Sequence, residues 1–232
     1  MKRSIELEMM DLPGQPRELL IGDLRNLRLI NRYLGCHRNV EGALERLIDV
    51  KTTRRFTLLD VGTGSGDIPA LIARWARRRQ IAAKISALDR EAVTVEEGAA
   101  LTRGYREISL LRGDAMNLPF RAATFDYILA SQLLHHFPDE QIIAALRAWA
   151  RLVRRAVIVN DLVRHPLAYH GIRLLAKSFT RNVMTRTDAP LSVRRALTVD
   201  EWLALFRLAD FGRFELIPSF PYRVLGLIWP RS

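Results

Sequence analysis

Short apolar runs and helix-spaced stripes alternate along most of the chain, and their order predicts an α/β protein. Between residues 16 and 34, Leu20, Leu24, Leu27 and Leu34 share one stripe while Arg17, Arg25, Arg28 and Arg32 lie off it, the pattern of an amphipathic helix that Gly35 ends. A second helix over 39–50 turns Val40, Leu44, Leu47 and Ile48 inward. Residues 57–61 form an apolar run with one acid near its end, as in a strand covered on both faces of a parallel sheet. Helix and strand patterns then follow in turn: helix 68–79, strand 84–89, helix 91–104, strand 108–112 and strand 125–130. Asp139 is placed to cap a helix whose inner face is Ile142, Ile143, Leu146, Trp149 and Leu152, and 156–161 is a fifth strand.

The ends of the chain are less regular. Residues 1–15, closing on Leu12-Pro13-Gly14-Gln15, read as a loose leader, and with the two helices after them make a leader and cap over 1–50. That cap either flanks a pocket or packs on the edge of the sheet. After strand five an insertion over 162–197 holds an apolar-basic helix, 169–179, and a polar stretch, 180–190. Thr198 with Glu201 has the form of a capping box opening a helix to about residue 209, and 214–217 with 222–229 reads as a closing antiparallel hairpin.

The 232 residues carry 49% hydrophobic content, which is globular and ample for a large core. No apolar run approaches the roughly 18 residues that span a bilayer, and the opening Met1-Lys2-Arg3-Ser4-Ile5-Glu6 leads into acids, so a cytoplasmic location is expected. Cys36 stands alone, which allows no internal disulfide and no cysteine metal site; no metal-ligand cluster is expected from the histidines either. The net charge of +11 comes almost wholly from arginine, since Lys2, Lys51, Lys84 and Lys177 are the lysines. Such a surface fits nucleic acid, an anionic membrane or plain solvation. Its basic clusters, Arg54-Arg55, Arg77-Arg78-Arg79, Arg154-Arg155 and Arg194-Arg195, are scattered and not interleaved with aromatics, so nucleic acid is not the expected partner.

The chemistry is concentrated after the first strand, in Asp60-Val61-Gly62-Thr63-Gly64-Ser65-Gly66-Asp67. Strand, glycine loop and helix with Pro69 in its first turn make a nucleotide-type pocket at a strand's carboxyl end. The dinucleotide fingerprint wants a third glycine at position 67, which is Asp, and the Gly-Lys-Ser/Thr of a phosphate loop is absent. Two acids and no basic residue suit a cationic ligand without phosphate, and S-adenosylmethionine is such a ligand. This stretch resembles motif I of the class I S-adenosylmethionine-dependent methyltransferases. An acid ending the second strand, Asp89, is where nucleotide folds accept ribose hydroxyls. Gly113-Asp114-Ala115-Met116 and the Phe125-Asp126 strand with its His-bearing turn, Ser131 to Pro138, resemble later motifs of the small-molecule branch, including ubiquinone and menaquinone biosynthetic enzymes.

The resemblance implies a doubly wound, Rossmann-like seven-stranded sheet of order 3-2-1-4-5-7-6, with 51–232 as the S-adenosylmethionine-binding methyltransferase domain. It implies cofactor contacts at Asp60, Gly62, Thr63, Gly64, Gly66, Asp67, Ile68, Asp89, Arg90, Gly113, Asp114, Ala115, Met116, Ser131 and Gln132. S-adenosylmethionine would be the cofactor, leaving as S-adenosylhomocysteine, and Asp114 and Ala115 would meet the adenine. The strand-four turn lacks the Asn/Asp-Pro-Pro-Tyr/Phe of many nucleic-acid methyltransferases. Methylation of a small phenolic or polyketide-like acceptor, on oxygen, is therefore expected. His136, or its neighbour His135, would take the proton, because imidazole titrates near neutral pH. In the family the insertion commonly builds a substrate lid, which would bring Asp161, Arg164, His165, His170 and Arg181 to the acceptor. Its basic helix leaves a peripheral membrane contact or a homodimer open. An RNA methyltransferase and a non-catalytic nucleotide-binding module are the alternative functions.

Overall fold

A computed structural model describes residues 1–231. Seven strands form one sheet in the order β3-β2-β1-β4-β5-β7-β6. Strands β1 (Arg55–Val61), β2 (Ala82–Asp89), β3 (Ile108–Arg112), β4 (Phe125–Ser131) and β5 (Val153–Leu162) run parallel, while β7 (Arg223–Trp229) lies antiparallel between β5 and β6 (Arg213–Ser219). The order is the one the family resemblance implied, and the closing hairpin is the one expected from the sequence.

Side chains alternate across the central strands and feed two cores. Phe56 and Leu58 of β1, Tyr127 and Leu129 of β4, and Ile158 of β5 pack under α2 (Cys36–Leu47) and α3 (Asp67–Arg78). Leu59, Val61, Ile128, Val157 and Val159 face the opposite side, under α5 (Asp139–Leu152) and α8 (Val199–Leu208). Helices on both faces are why the central strands read as unbroken apolar runs. Trp75, Trp149 and Trp202 are fully enclosed, so each helix layer is anchored by a large side chain. Thr198 and Glu201 close a reciprocal capping box at the start of α8. Asp139 is the first residue of α5, with Pro138 at the cap position expected for it.

Two regions depart from the expectations. The polar stretch 180–190, given no element by its pattern, is largely helical: Val183–Arg195 is helix α7, continuous through Pro190. Its periodicity is hidden because several of its buried residues are polar, among them Asp188 and Arg195. The leader is not loose. Its 3₁₀ turn, Met9–Asp11, is tied to α7 by the Met9 and Met10 N–H groups, which donate to the Asp188 carboxylate at 2.9 and 3.0 Å. Arg3 donates to the Phe137 carbonyl and pairs with Asp139, and Glu8 is almost wholly enclosed. Polar groups meeting across distant segments hold this region, a pattern hydrophobic periodicity does not register. Helix α1 (Arg17–Tyr33) packs between α7 and α4 (Ala92–Thr102), and α6 (Pro166–Phe179) packs on α7. Among the described residues no helix is long and apolar enough to cross a membrane.

Candidate active site

The carboxyl ends of β1, β2, β3, β4 and β5 open into a cavity of about 660 Å³, walled on its far side by α1, the leader and α7. Its floor is the glycine loop. The N–H groups of Gly62 and Thr63 both donate to the Leu88 carbonyl, at 2.8 and 2.9 Å, and the Gly64 N–H donates to the Asp89 carboxylate at 2.9 Å. All three loop glycines have positive φ, and a Cβ on Gly62 would stand 2.8 Å from Leu133. Positive φ and the nearness of Leu133 thus favour glycine at this position.

Acids ring the loop. Asp60 is buried with its Oδ2 unpartnered, and burial, reinforced by Asp67 and Asp89, pushes its pKa up to about 7. Asp67 sits at the first turn of α3 and is held by Asn31 Nδ2 at 3.2 Å and His37 Nε2 at 3.0 Å. Burial also raises Asp89, whose second oxygen accepts from the Glu91 N–H. Asp114 closes an Asx turn onto the Met116 N–H, which turns Met116 into the core beneath, and Gly113, Asp114 and Ala115 line the cavity. Ser131 and Gln132 line it at the end of β4, with Gln132 at positive φ and bonded to Asn31 and Arg223. Thr63, Ile68 and Arg90 also border the space; Gly66 caps α3 below it.

Opposite the loop is a histidine cluster. Asp161 is fully buried beneath the turn Leu134–His136, accepting from the N–H groups of Leu134, His135 and Leu162. Its Oδ1 lies 2.6 Å from His135 Nδ1. Burial alone would raise Asp161, but the charge and hydrogen bond of His135 outweigh it and hold the carboxyl below its usual range. His136 Nδ1 lies 2.7 Å from Asp11, and the two rings sit 4.4 Å apart. Glu8, from the leader, faces both rings; burial pushes its pKa up to about 7. Arg195 braces the group by donating to the His135 and His136 carbonyls and approaching Glu8 at 3.8 Å.

The sequence-predicted residues therefore separate. The cofactor candidates gather around the loop, and His135 and His136 share their cavity. The lid candidates do not reach it. Asp161 is a buried support, not a pocket mouth; Arg164 is buried against Glu201 and the Ala196 carbonyl; His165 caps α6 and stacks on Tyr222; His170 and Arg181 are exposed. Glu8, Asp11, Asp188 and Arg195 were missed, and with Glu8 the histidines form a group of metal-ligand type that the sequence did not lead one to expect. Nothing local marks these residues; only the closeness of two acids, Glu8 and Asp11, in a short leader was available as a signal.

Residues 58–156 match the methyltransferase domain family. A demethylmenaquinone methyltransferase of Bacillus licheniformis is 34% identical over 98 residues, covering 42% of this chain and 40% of that protein. The chain thus spans well under half of that relative's length in the matched region. A ubiquinone/menaquinone biosynthesis C-methyltransferase of Rhizobium etli is 23% identical over 222 residues, covering 88% and 85%. The structure of a plantazolicin methyltransferase, bound to a substrate analogue and S-adenosylhomocysteine, superposes with TM-score 0.65 at 15% identity over 93% of this chain and 98% of that one. Residues 58–156 thus carry a methyltransferase domain, and the relatives and the fold support the likeness to the small-molecule branch of the class I S-adenosylmethionine-dependent methyltransferases that the motifs implied.

Proposed function

We propose that the protein transfers the methyl group of S-adenosylmethionine to an oxygen of a small phenolic or enolic acceptor that is activated at the histidine cluster. One observation carries this reading: the glycine loop with its acids and the His135-His136 pair line the same cavity. The cofactor's sulfonium and amino group are cationic, and Asp60 and Asp67 supply negative charge beside the loop. Asp89 and Asp114 would take the ribose and the adenine. In the transfer the acceptor oxygen, having lost its proton, attacks the methyl carbon in line; the carbon–sulfur bond breaks and its electron pair returns to sulfur. Proximity and exclusion of water supply most of the acceleration for such a displacement.

A second reading, transfer to carbon, is favoured by the likeness to the Rhizobium etli C-methyltransferase. It starts from the same activated acceptor, since an enolate or phenolate is nucleophilic at carbon and at oxygen. The RNA alternative is weakened by the pairing of the arginine clusters. Arg77, Arg78 and Arg79 meet Glu107, Glu41 and Glu45, Arg154 and Arg155 share Asp126, and Arg194 meets Glu6, so acids interrupt the basic surface at these clusters; Arg54-Arg55 has no such partner among the described residues.

The test is calorimetry with S-adenosylhomocysteine, followed by incubation of phenols and 1,3-diketones with methyl-labelled cofactor. Binding at micromolar concentration and a new methoxy carbon signal are expected. A methyl signal bonded to carbon would select the second reading. No binding of S-adenosylhomocysteine would overturn both.

A further inference from the structure

We propose that Glu8, His135 and His136 form a binding site for a divalent transition-metal ion of the zinc or cobalt type, opening onto the cavity beside the glycine loop. Both imidazoles are oriented in the way that metal-bound histidines are. His135 Nδ1 is held by Asp161 at 2.6 Å and His136 Nδ1 by Asp11 at 2.7 Å, so each ring donates its Nδ1–H to a carboxylate and turns Nε2 the other way. A carboxylate on the far nitrogen fixes the tautomer and raises the basicity of the ligating one.

Both Nε2 atoms face Glu8. His135 Nε2 lies 3.7 Å from Glu8 Oε1 and His136 Nε2 lies 4.0 Å from Glu8 Oε2. In these tautomers two nitrogen lone pairs point at carboxylate oxygens; Glu8 Oε2 accepts from the Ser192 hydroxyl at 2.9 Å, and no hydrogen bond joins either nitrogen to Glu8. His135 Nε2 and Glu8 Oε1 are accordingly buried without a hydrogen-bond partner, a costly state unless something is bound between them. The candidate ligand atoms lie within 4.8 Å of one another. Around an ion with bonds of about 2.1 Å they would stand about 3.0–3.5 Å apart, so a modest contraction completes the set.

Charge points the same way. Glu8, Asp11, Asp161 and Asp188 converge on the cluster; Arg195 approaches Glu8 and Asp11 at 3.8 Å, and Arg90 approaches Asp11 at 3.6 Å from the surface. Four carboxylates against two guanidiniums, one of them at the exposed edge, leave more acid than base for a dication to offset. Two imidazoles with one carboxylate select zinc, cobalt, nickel or iron(II) over magnesium or calcium, which prefer oxygen. Three protein ligands leave open positions on the cavity side, where a phenolate or enolate oxygen would bind. The negative cluster alone would repel such an oxygen; with the ion in place it would stabilise it. What the ion does for the acceptor rests on the proposed function, whereas its binding does not.

The full chain, free of any polyhistidine tag and stripped with chelator, is titrated with cobalt(II) chloride while its visible ligand-field absorption is followed. S-adenosylhomocysteine binding is measured in parallel. One saturable equivalent is expected, with affinity falling at least tenfold in Glu8→Gln and unchanged in the leader control Glu6→Gln. Absence of saturable binding to the native chain, or equal binding by Glu8→Gln, would overturn the site. Should Glu8→Gln not fold, the native heating midpoint decides: a rise of several degrees with cobalt(II) and none with magnesium is expected. An equal or absent response to both metals overturns it. Loss of the metal result with S-adenosylhomocysteine binding intact refutes this inference alone, and failure of S-adenosylhomocysteine binding refutes the proposed function.

Discussion

The two walls of the cavity are built in different ways. The cofactor wall is local: Asp60 to Asp67 is one turn between β1 and α3, and Asp89 and Asp114 each end the next strand or begin the turn after it. Parallel strands bring successive carboxyl ends side by side, so a motif at each end is enough to assemble the site. The acceptor wall is assembled from segments far apart in the chain. Glu8 and Asp11 come from the leader, His135 and His136 from the end of β4, Asp161 from β5, and Asp188 and Arg195 from α7. The first kind of wall is specified by short words in the sequence; the second exists only through buried polar contacts between remote residues.

The difference can be broken most forcefully at Arg195. Its side chain is 5% exposed and holds three main-chain carbonyls of the leader and the histidine turn. Arg195→Ala leaves Glu8 and those carbonyls buried without their cation. We expect a loss of about 3–5 kcal/mol in urea unfolding. If the walls are independent, the folded fraction still binds S-adenosylhomocysteine; equal loss of both would show them to be one unit.

Asp60→Asn acts on the cofactor wall and carries a pH signature. The folded carboxyl titrates near 7, well above an unfolded aspartate, so the folded state binds its proton more tightly. Its contribution is full below about pH 4 and is lost as pH rises toward 7. The empty Asp60→Asn protein should therefore gain a few kcal/mol over the native one at pH 8 and nothing at pH 4, measured by urea unfolding at both pH values. At pH 8 it should bind S-adenosylhomocysteine more weakly, since the charge that burdens the empty fold serves the ligand.

Gly62→Ala and Gly64→Ala sharpen the comparison within the loop. Both positions have positive φ, but a Cβ at Gly62 strikes Leu133 whereas at Gly64 it meets nothing within 4 Å. Both should pay about 1–2 kcal/mol of backbone strain, with Gly62→Ala the less stable by thermal unfolding. The smallest effects belong to His170→Ala and Arg181→Ala. Both residues are exposed and outside the cavity lining, so changes within about 0.5 kcal/mol and unaltered cofactor binding are expected. A large loss of turnover in either would return the insertion to the role of a lid.

Strands and most helices are legible in the sequence because both cores rest on apolar periodicity, visible in Leu58 and Leu59 facing opposite layers. The glycine loop and the strand-end acids are legible because each is a short local signal at the end of a strand. Residues 1–15 and 180–195 are not, because Glu8, Asp188 and Arg195 there are buried and polar. A charged residue in sequence looks solvated, and whether it is depends on a partner that may stand more than a hundred positions away, as Arg195 stands from Glu8. Asp161 was misplaced for the same reason: the end of β5 was legible, but not that its carboxylate turns inward under His135.

By itself the sequence determined the doubly wound sheet, the glycine loop and the acids around it, since these follow from local periodicity, glycine's access to positive φ and the alignment of parallel strand ends. Only the tertiary structure decided that the leader closes the cavity and that Glu8 meets two oriented histidines. The reason is that long-range polar pairing costs desolvation at every partner, and is therefore realised only where the whole fold brings all of them together.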